Sequence, residues 1–95
     1  MHIISRKALR LFWEHYPDSR TALSHWFKLV QHTEFRDLAH LRSVFPSADL
    51  VGPWVVFNVG GNKYRLITTI HFNRGKIYIR HVLPHQEYDK GSWKK

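Results

Sequence analysis

The chain is predicted to fold as an α+β domain, with amino-terminal helices packed on one face of a twisted antiparallel sheet. Three observations carry that expectation. Apolar residues recur at three- and four-residue spacing through the first half of the chain, β-branched and aromatic runs take over from Trp54, and two glycine- and asparagine-containing segments separate those runs.

Met1 to Ile4 reads as a very short strand or an irregular start. Ser5 is placed to cap a first helix whose inward positions are Leu9, Phe12, Trp13 and Tyr16, and Pro17 closes it. Asp18 or Ser19 is placed to cap a second helix carrying Leu23, Trp26, Phe27 and Val30 on the same spacing. Thr33 is the expected cap of a third, shorter helix with Phe35, Leu38 and Leu41 facing inward, and PSADLVGP at 46–53 is a loop by composition.

The period then changes from helical to alternating. WVVFNV, YRLITTIH and KIYIRHVL make a three-stranded antiparallel meander, with GGN at 60–62 and FNRG at 72–75 as its turns. The second turn leaves two registers open. With Asn73 and Arg74 alone in the loop, Ile67 lies opposite Arg80; with Gly75 added, Thr68 does.

A chain of 95 residues builds one core and not two, so residues 1–95 read as a single domain, with 91–95 (GSWKK) expected as a mobile tail unless Trp93 folds back. Fifteen Lys and Arg against seven Asp and Glu leave a formal charge of +8. Such a surface suits nucleic acid or an acidic partner protein. No apolar run is long enough to span a membrane, and MHIISRKALRLFW lacks the apolar core and cleavage site of a signal peptide, so a cytoplasmic address is expected. The absence of cysteine excludes thiolate nucleophiles, disulfides and cysteine metal ligands.

Of eight histidines, His71, His81 and His85 form the densest group, but His81 and His85 flank a proline and no HExxH motif accompanies them. No metal or other cofactor is expected. Gly60 and Gly61 resemble a phosphate loop only superficially, because GxxxxGK followed by Ser or Thr is absent; a hairpin turn explains them. Lys63 and Arg65, two apart on an expected strand, should share a face opposite Tyr64 and Leu66. Arg80 interrupts an otherwise apolar strand, which calls for a carboxylate or an external anion beside it. Arg74, Lys76 and Lys90 add charge at both ends of the same hairpin, while Tyr78 and Tyr88 add rings. Basic groups interleaved with aromatics on a sheet suit RNA better than duplex DNA. His85 can exchange a proton near neutral pH, Tyr88 offers a phenolic proton, and Glu87 and Asp89 can tune or satisfy the neighbouring cations.

VVFNVGGNKYRLITTIHFNRGKIYIRHVLPHQEYDK, with TEFRDLAHLRSVFPSADLVG upstream, resembles the HigB family of toxins within the RelE-like ribonuclease superfamily, over roughly residues 33–90. NKYRLI after a strand and EYDK at the close are its most specific features. The resemblance implies a RelE-like fold and a type II toxin that cleaves translated mRNA on the ribosome and is neutralised by a HigA-like helix-turn-helix antitoxin. It implies catalytic roles for Lys63, Arg65, Arg80, His85 and Tyr88, and RNA contacts from Asn62, Tyr64 and Lys90; the basic and aromatic pattern of the hairpin adds Arg74, Lys76 and Tyr78 to the expected RNA contacts. Chemistry without a metal follows the same expectation, with the 2′-hydroxyl attacking the adjacent phosphate. Pro84 stands where family members usually have threonine, and Gln86 where alanine is common; Pro84 alters the approach to His85. Other readings of the same basic surface are a non-catalytic RNA- or ribosome-binding module and a subunit that pairs with an acidic protein.

Overall fold

A computed structural model describes residues 1–94. Helices α1 (Lys7–His15), α2 (Arg20–Gln31) and α3 (Leu38–Val44) precede most of the sheet, and a short α4 (His85–Lys90) follows it. The strands are β1 (His2–Ile4), β2 (Asp49–Val51), β3 (Trp54–Val59), β4 (Tyr64–His71) and β5 (Lys76–Pro84), ordered β1-β5-β4-β3-β2. Among the described residues no helix is long and apolar enough to cross a membrane.

The predicted meander is the centre of this sheet, and the α+β class holds. The sheet is mixed, however: β1 joins the edge parallel to β5, so that Ile3 enters the core. The expected loop 46–53 contains β2, which pairs antiparallel with β3. Both strands are three residues long, too short for an alternation to register in the sequence.

The helix caps differ from expectation. Arg6, not Ser5, is the α1 N-cap, and Ser5 adopts φ 74°. Ser19 is the α2 N-cap residue, one of the two expected, but its hydroxyl donates to the Tyr16 carbonyl instead of accepting from the first turn, and Asp18 is left for another use. Asp37 rather than Thr33 caps α3, accepting from the His40 amide at 2.8 Å.

One face of the sheet carries the main core, built by Leu9, Leu23, Trp26 and Val30 against Phe57, Leu66, Ile77 and Ile79. The other face carries a smaller cluster in which Val56 and Ile67 meet Trp93, with Leu83 and Tyr88 packed alongside. The amino-terminal helices therefore cover one face, while α4 and the turn Ser92–Lys94 lie on the other. Trp93 folds back: it is buried, stacks on Tyr88 and bonds its carbonyl at 2.9 Å. Lys95, the end of the expected tail, lies outside the described residues.

The second hairpin follows neither predicted register throughout. His71↔Lys76 to Thr68↔Ile79 obey the shorter loop, but Ile67 then pairs with His81, leaving Arg80 as the extra residue of a β-bulge. Alternation after the buried Ile77 and Ile79 points Arg80 outward; the bulge keeps His81 on that outer face with it and moves Val82 onto the helical face.

Candidate active site

At one end of the sheet the β3–β4 turn, the α1–α2 connection and α4 surround an open cleft of about 670 Å³. Asn62, Lys63, His85 and Gln86 line it, together with Tyr16, Asp18 and Asp89. Asn62 closes the turn with φ 74°, a left-handed conformation that asparagine tolerates better than most residues. The His85 amide donates to the Lys63 carbonyl at 2.9 Å, tying the start of α4 to that turn.

Pro84, with φ −62° and ψ 155°, leaves β5 and starts α4, and Gly91 ends it in a left-handed conformation. The helical spacing brings His85 and Asp89 together. His85 Nδ1 lies 2.7 Å from Asp89 Oδ2. With the proton on Nδ1 in that bond, Nε2 is left as the accepting nitrogen in an imidazole of fixed orientation.

Lys63 and Arg65 do not share a face. Lys63 belongs to the turn before β4, and its ammonium pairs with Asp18 at 3.3 Å on the helical side. Arg65 donates to the Asn62 and Tyr64 carbonyls at 2.9 and 3.2 Å and lies 5.5 Å from the Tyr88 ring centre on the other side. Among the described residues Arg65 meets no carboxylate, and neither does Arg80. Arg80 donates Nε to Thr69 Oγ1 at 3.0 Å and rests over Tyr78. Strand alternation and the pairing of Thr69 with Tyr78 place Arg65 and Arg80 on the same face. Burial pushes the Tyr88 phenol above its ordinary pKa, so it stays a proton donor at neutral pH.

Tyr64, expected to contact RNA, is unavailable for stacking. It faces the main core, 6% exposed, with its ring 5.3 Å from Phe12 and 5.6 Å from Tyr16. Its hydroxyl donates to Asp18. Alternation places Tyr64 opposite Arg65, as found, but also opposite Lys63, whereas the Lys63 and Tyr64 side chains both reach Asp18; nor did it say which face would be buried. Arg74, Lys76 and Tyr78 lie toward the opposite end of the hairpin; the eight steps from Lys76 to Pro84 span about 26 Å. Lys90 pairs with Glu87 at 3.2 Å. Among the described residues no group of three His, Asp or Glu side chains comes together as a metal set would.

Asp18 was visible in the sequence only as a cap. No local signal connects it to Lys63 and Tyr64, 45 and 46 positions away. The Tyr64 hydroxyl, helped by Lys63, holds the Asp18 carboxyl below its ordinary value of 3.8, and the bond to Asp18 together with burial pushes Tyr64 up to about 12. The stabilisation from the depressed carboxyl is present above 3.8 and is lost as pH falls through its folded-state value. That from the raised phenol is present below its ordinary value of 10.0 and is lost as pH rises toward about 12. Asp18→Asn is expected to flatten both limbs in urea unfolding followed across pH. Limbs with unchanged slopes would show that this bond does not couple the helical layer to the turn.

Residues 19–91 match the family described as HigB_toxin, RelE-like toxic component of a toxin-antitoxin system. The chain is 39% identical over 92 residues to the mRNA interferase toxin HigB of Escherichia coli (strain K12), covering 94% of this chain and 88% of that relative. The mRNA interferase HigB of Shigella flexneri gives the same values. The mRNA interferase HigB of Escherichia coli O6:H1 is 33% identical over 93 residues, covering 95% of this chain and 90% of the relative.

Proposed function

Because the chain belongs to the HigB family of RelE-like toxins, we propose that it cleaves mRNA on the translating ribosome by attack of the RNA 2′-hydroxyl, and that a HigA-like helix-turn-helix antitoxin neutralises it. As a HigB it is an mRNA-interferase toxin, and so an endoribonuclease. Its place of work is then the cytoplasm, where translated mRNA is found.

The observation that carries the chemical reading is the His85–Asp89 pair at the rim of the cleft. His85 Nε2 accepts the proton of the 2′-hydroxyl as its oxygen bonds to phosphorus. The bond from phosphorus to the 5′-oxygen breaks, and the leaving oxygen takes a proton from Tyr88, one helical turn along α4 from His85. The products are a 2′,3′-cyclic phosphate and a free 5′-hydroxyl. Arg65 and Arg80, without carboxylate partners among the described residues, stabilise the charge that grows on the phosphate oxygens. Lys63 shares its charge with Asp18 and serves to hold the RNA backbone at the cleft. Asn62 can add a polar contact there, and Arg74, Lys76 and Tyr78 on the hairpin, with Lys90 at the end of α4, extend the interface.

Mapping 5′ ends of cellular mRNA after induction tests the reading. New ends within translated frames are expected with the native chain, and none with the combined Arg65→Ala, Arg80→Ala and His85→Ala variant. Loss of the ends when translation initiation is blocked supports ribosome dependence. Binding to ribosomes without new ends would leave a non-catalytic RNA-binding module.

A further inference from the structure

A second concavity, of about 380 Å³, runs between α1 and α2 and shares no lining residue with the cleft. Its floor is apolar, made by Leu9, Trp13 and Phe27. Arg6, Lys7, Arg10 and Lys28 line it as well, and no acidic residue does. The four ion pairs found among the described residues use none of these cations.

The placement of these charges works against the free protein. Arg6 is the α1 N-cap, Lys7 follows it, and the first turn holds no acidic residue, so cations crowd the positive end of the helix dipole. Arg6, Lys7, Arg10 and Lys28 are all exposed, and an incoming carboxylate would relieve their mutual repulsion.

The aromatic surface separates two kinds of anionic partner. Single-stranded RNA favours open ring faces on which bases stack. Here Arg6 already lies over the Phe27 ring at 5.4 Å, and Arg20 over the Trp13 ring at 6.0 Å. What remains is an apolar trough with guanidinium and ammonium donors along its sides, the complement of a peptide segment with apolar residues on one face and carboxylates flanking them. Membership of a toxin–antitoxin family supplies the partner.

We propose that the α1–α2 groove is the docking site for an acidic, apolar-faced segment of the antitoxin. This rests on the toxin reading, but not on the assignment of catalytic residues.

The test is Arg10→Glu combined with Lys28→Glu, two exposed positions outside the proposed cleavage site, assayed for binding to the purified cognate antitoxin. Affinity is expected to fall roughly 100-fold, with thermal unfolding unchanged. Growth arrest should persist at antitoxin levels that rescue cells expressing the native toxin. If the double Glu variant does not fold, Arg10→Gln with Lys28→Gln reads the same surface, with an expected loss of roughly 10-fold. Unchanged antitoxin affinity in the folded variant overturns the proposal. Unchanged antitoxin affinity with reduced sedimentation on ribosomes overturns it in favour of ribosomal RNA. Affinity and 5′-end mapping are separate readouts, so failure of the nuclease reading would be seen as missing ends whatever the antitoxin binding shows.

Discussion

His85→Ala is expected to lower the rate of mRNA cleavage in a reconstituted translation reaction by about 10²- to 10⁴-fold, the usual contribution of a positioned general acid or base. Each tenfold corresponds to about 1.4 kcal/mol of transition-state stabilisation. The side chain is about half exposed and contributes to no core cluster, so the same variant should unfold at nearly the native temperature. Asp89→Asn separates chemistry from binding. Asp89 acts through its 2.7 Å contact to Nδ1, so its loss is expected to lower kcat with little change in KM, because the imidazole loses its fixed orientation while the phosphate contacts remain. A His85→Ala rate within about tenfold of native would remove His85 from the role of proton acceptor.

The largest effect on stability is expected from Phe57→Ala. Phe57 is 1% exposed at the middle of β3, and its ring meets Trp26 at 5.3 Å and Phe45 at 5.1 Å, both edge-on. These contacts join the sheet to α2 and to the end of α3. Truncating a buried aromatic of this kind costs about 3 to 5 kcal/mol, a large part of the roughly 5 to 15 kcal/mol that holds a small domain together. The midpoint of thermal unfolding should fall by about 4 to 8 °C for each kcal/mol lost. Urea unfolding measures the change directly. A cost below about 1 kcal/mol would mean that the aromatic cluster is not what anchors the helical layer. Loss of toxicity in this variant would carry no information about catalysis, whereas the same loss in the folded His85→Ala protein would.

The central strands and the helical periodicity were readable because each extends over enough residues to repeat. WVVFNV and YRLITTIH match β3 and β4, and KIYIRHVL falls one residue short of β5. β1 and β2 were less legible, since three residues acquire strand character mainly from the neighbour they pair with. α4 was missed for a related reason. HQEYDK has no apolar stripe of its own, and only Tyr88, packed against Trp93, turns it toward the sheet. Had that helix been read, the i, i+4 spacing of His85 and Asp89 would have signalled their pairing.

The candidate site shows the same division. Residue types determined the chemistry available, placing bases, phenols and cations in the segments 62–65 and 80–90. Alternation placed Tyr64 opposite Arg65, but the identity of the buried side depended on helices contributed from elsewhere in the chain. Arg80 was singled out as an arginine in an apolar strand. Alternation with the buried Ile77 and Ile79 already directs Arg80 away from the core, and the bulge reverses the alternation only beyond it, bringing Val82 to the helical face.

By itself, then, the sequence determined the α+β class, the family and the residue types gathered in the candidate site, because these depend on local periodicity and short motifs. Only the tertiary structure decided that Asp18 binds Lys63 and Tyr64, that Lys63 and Arg65 diverge, and that Arg80 sits on a bulge beside Thr69. Each of those depends on strand register or on contacts between residues distant in the chain, where a displacement of one position changes the partner and the face together.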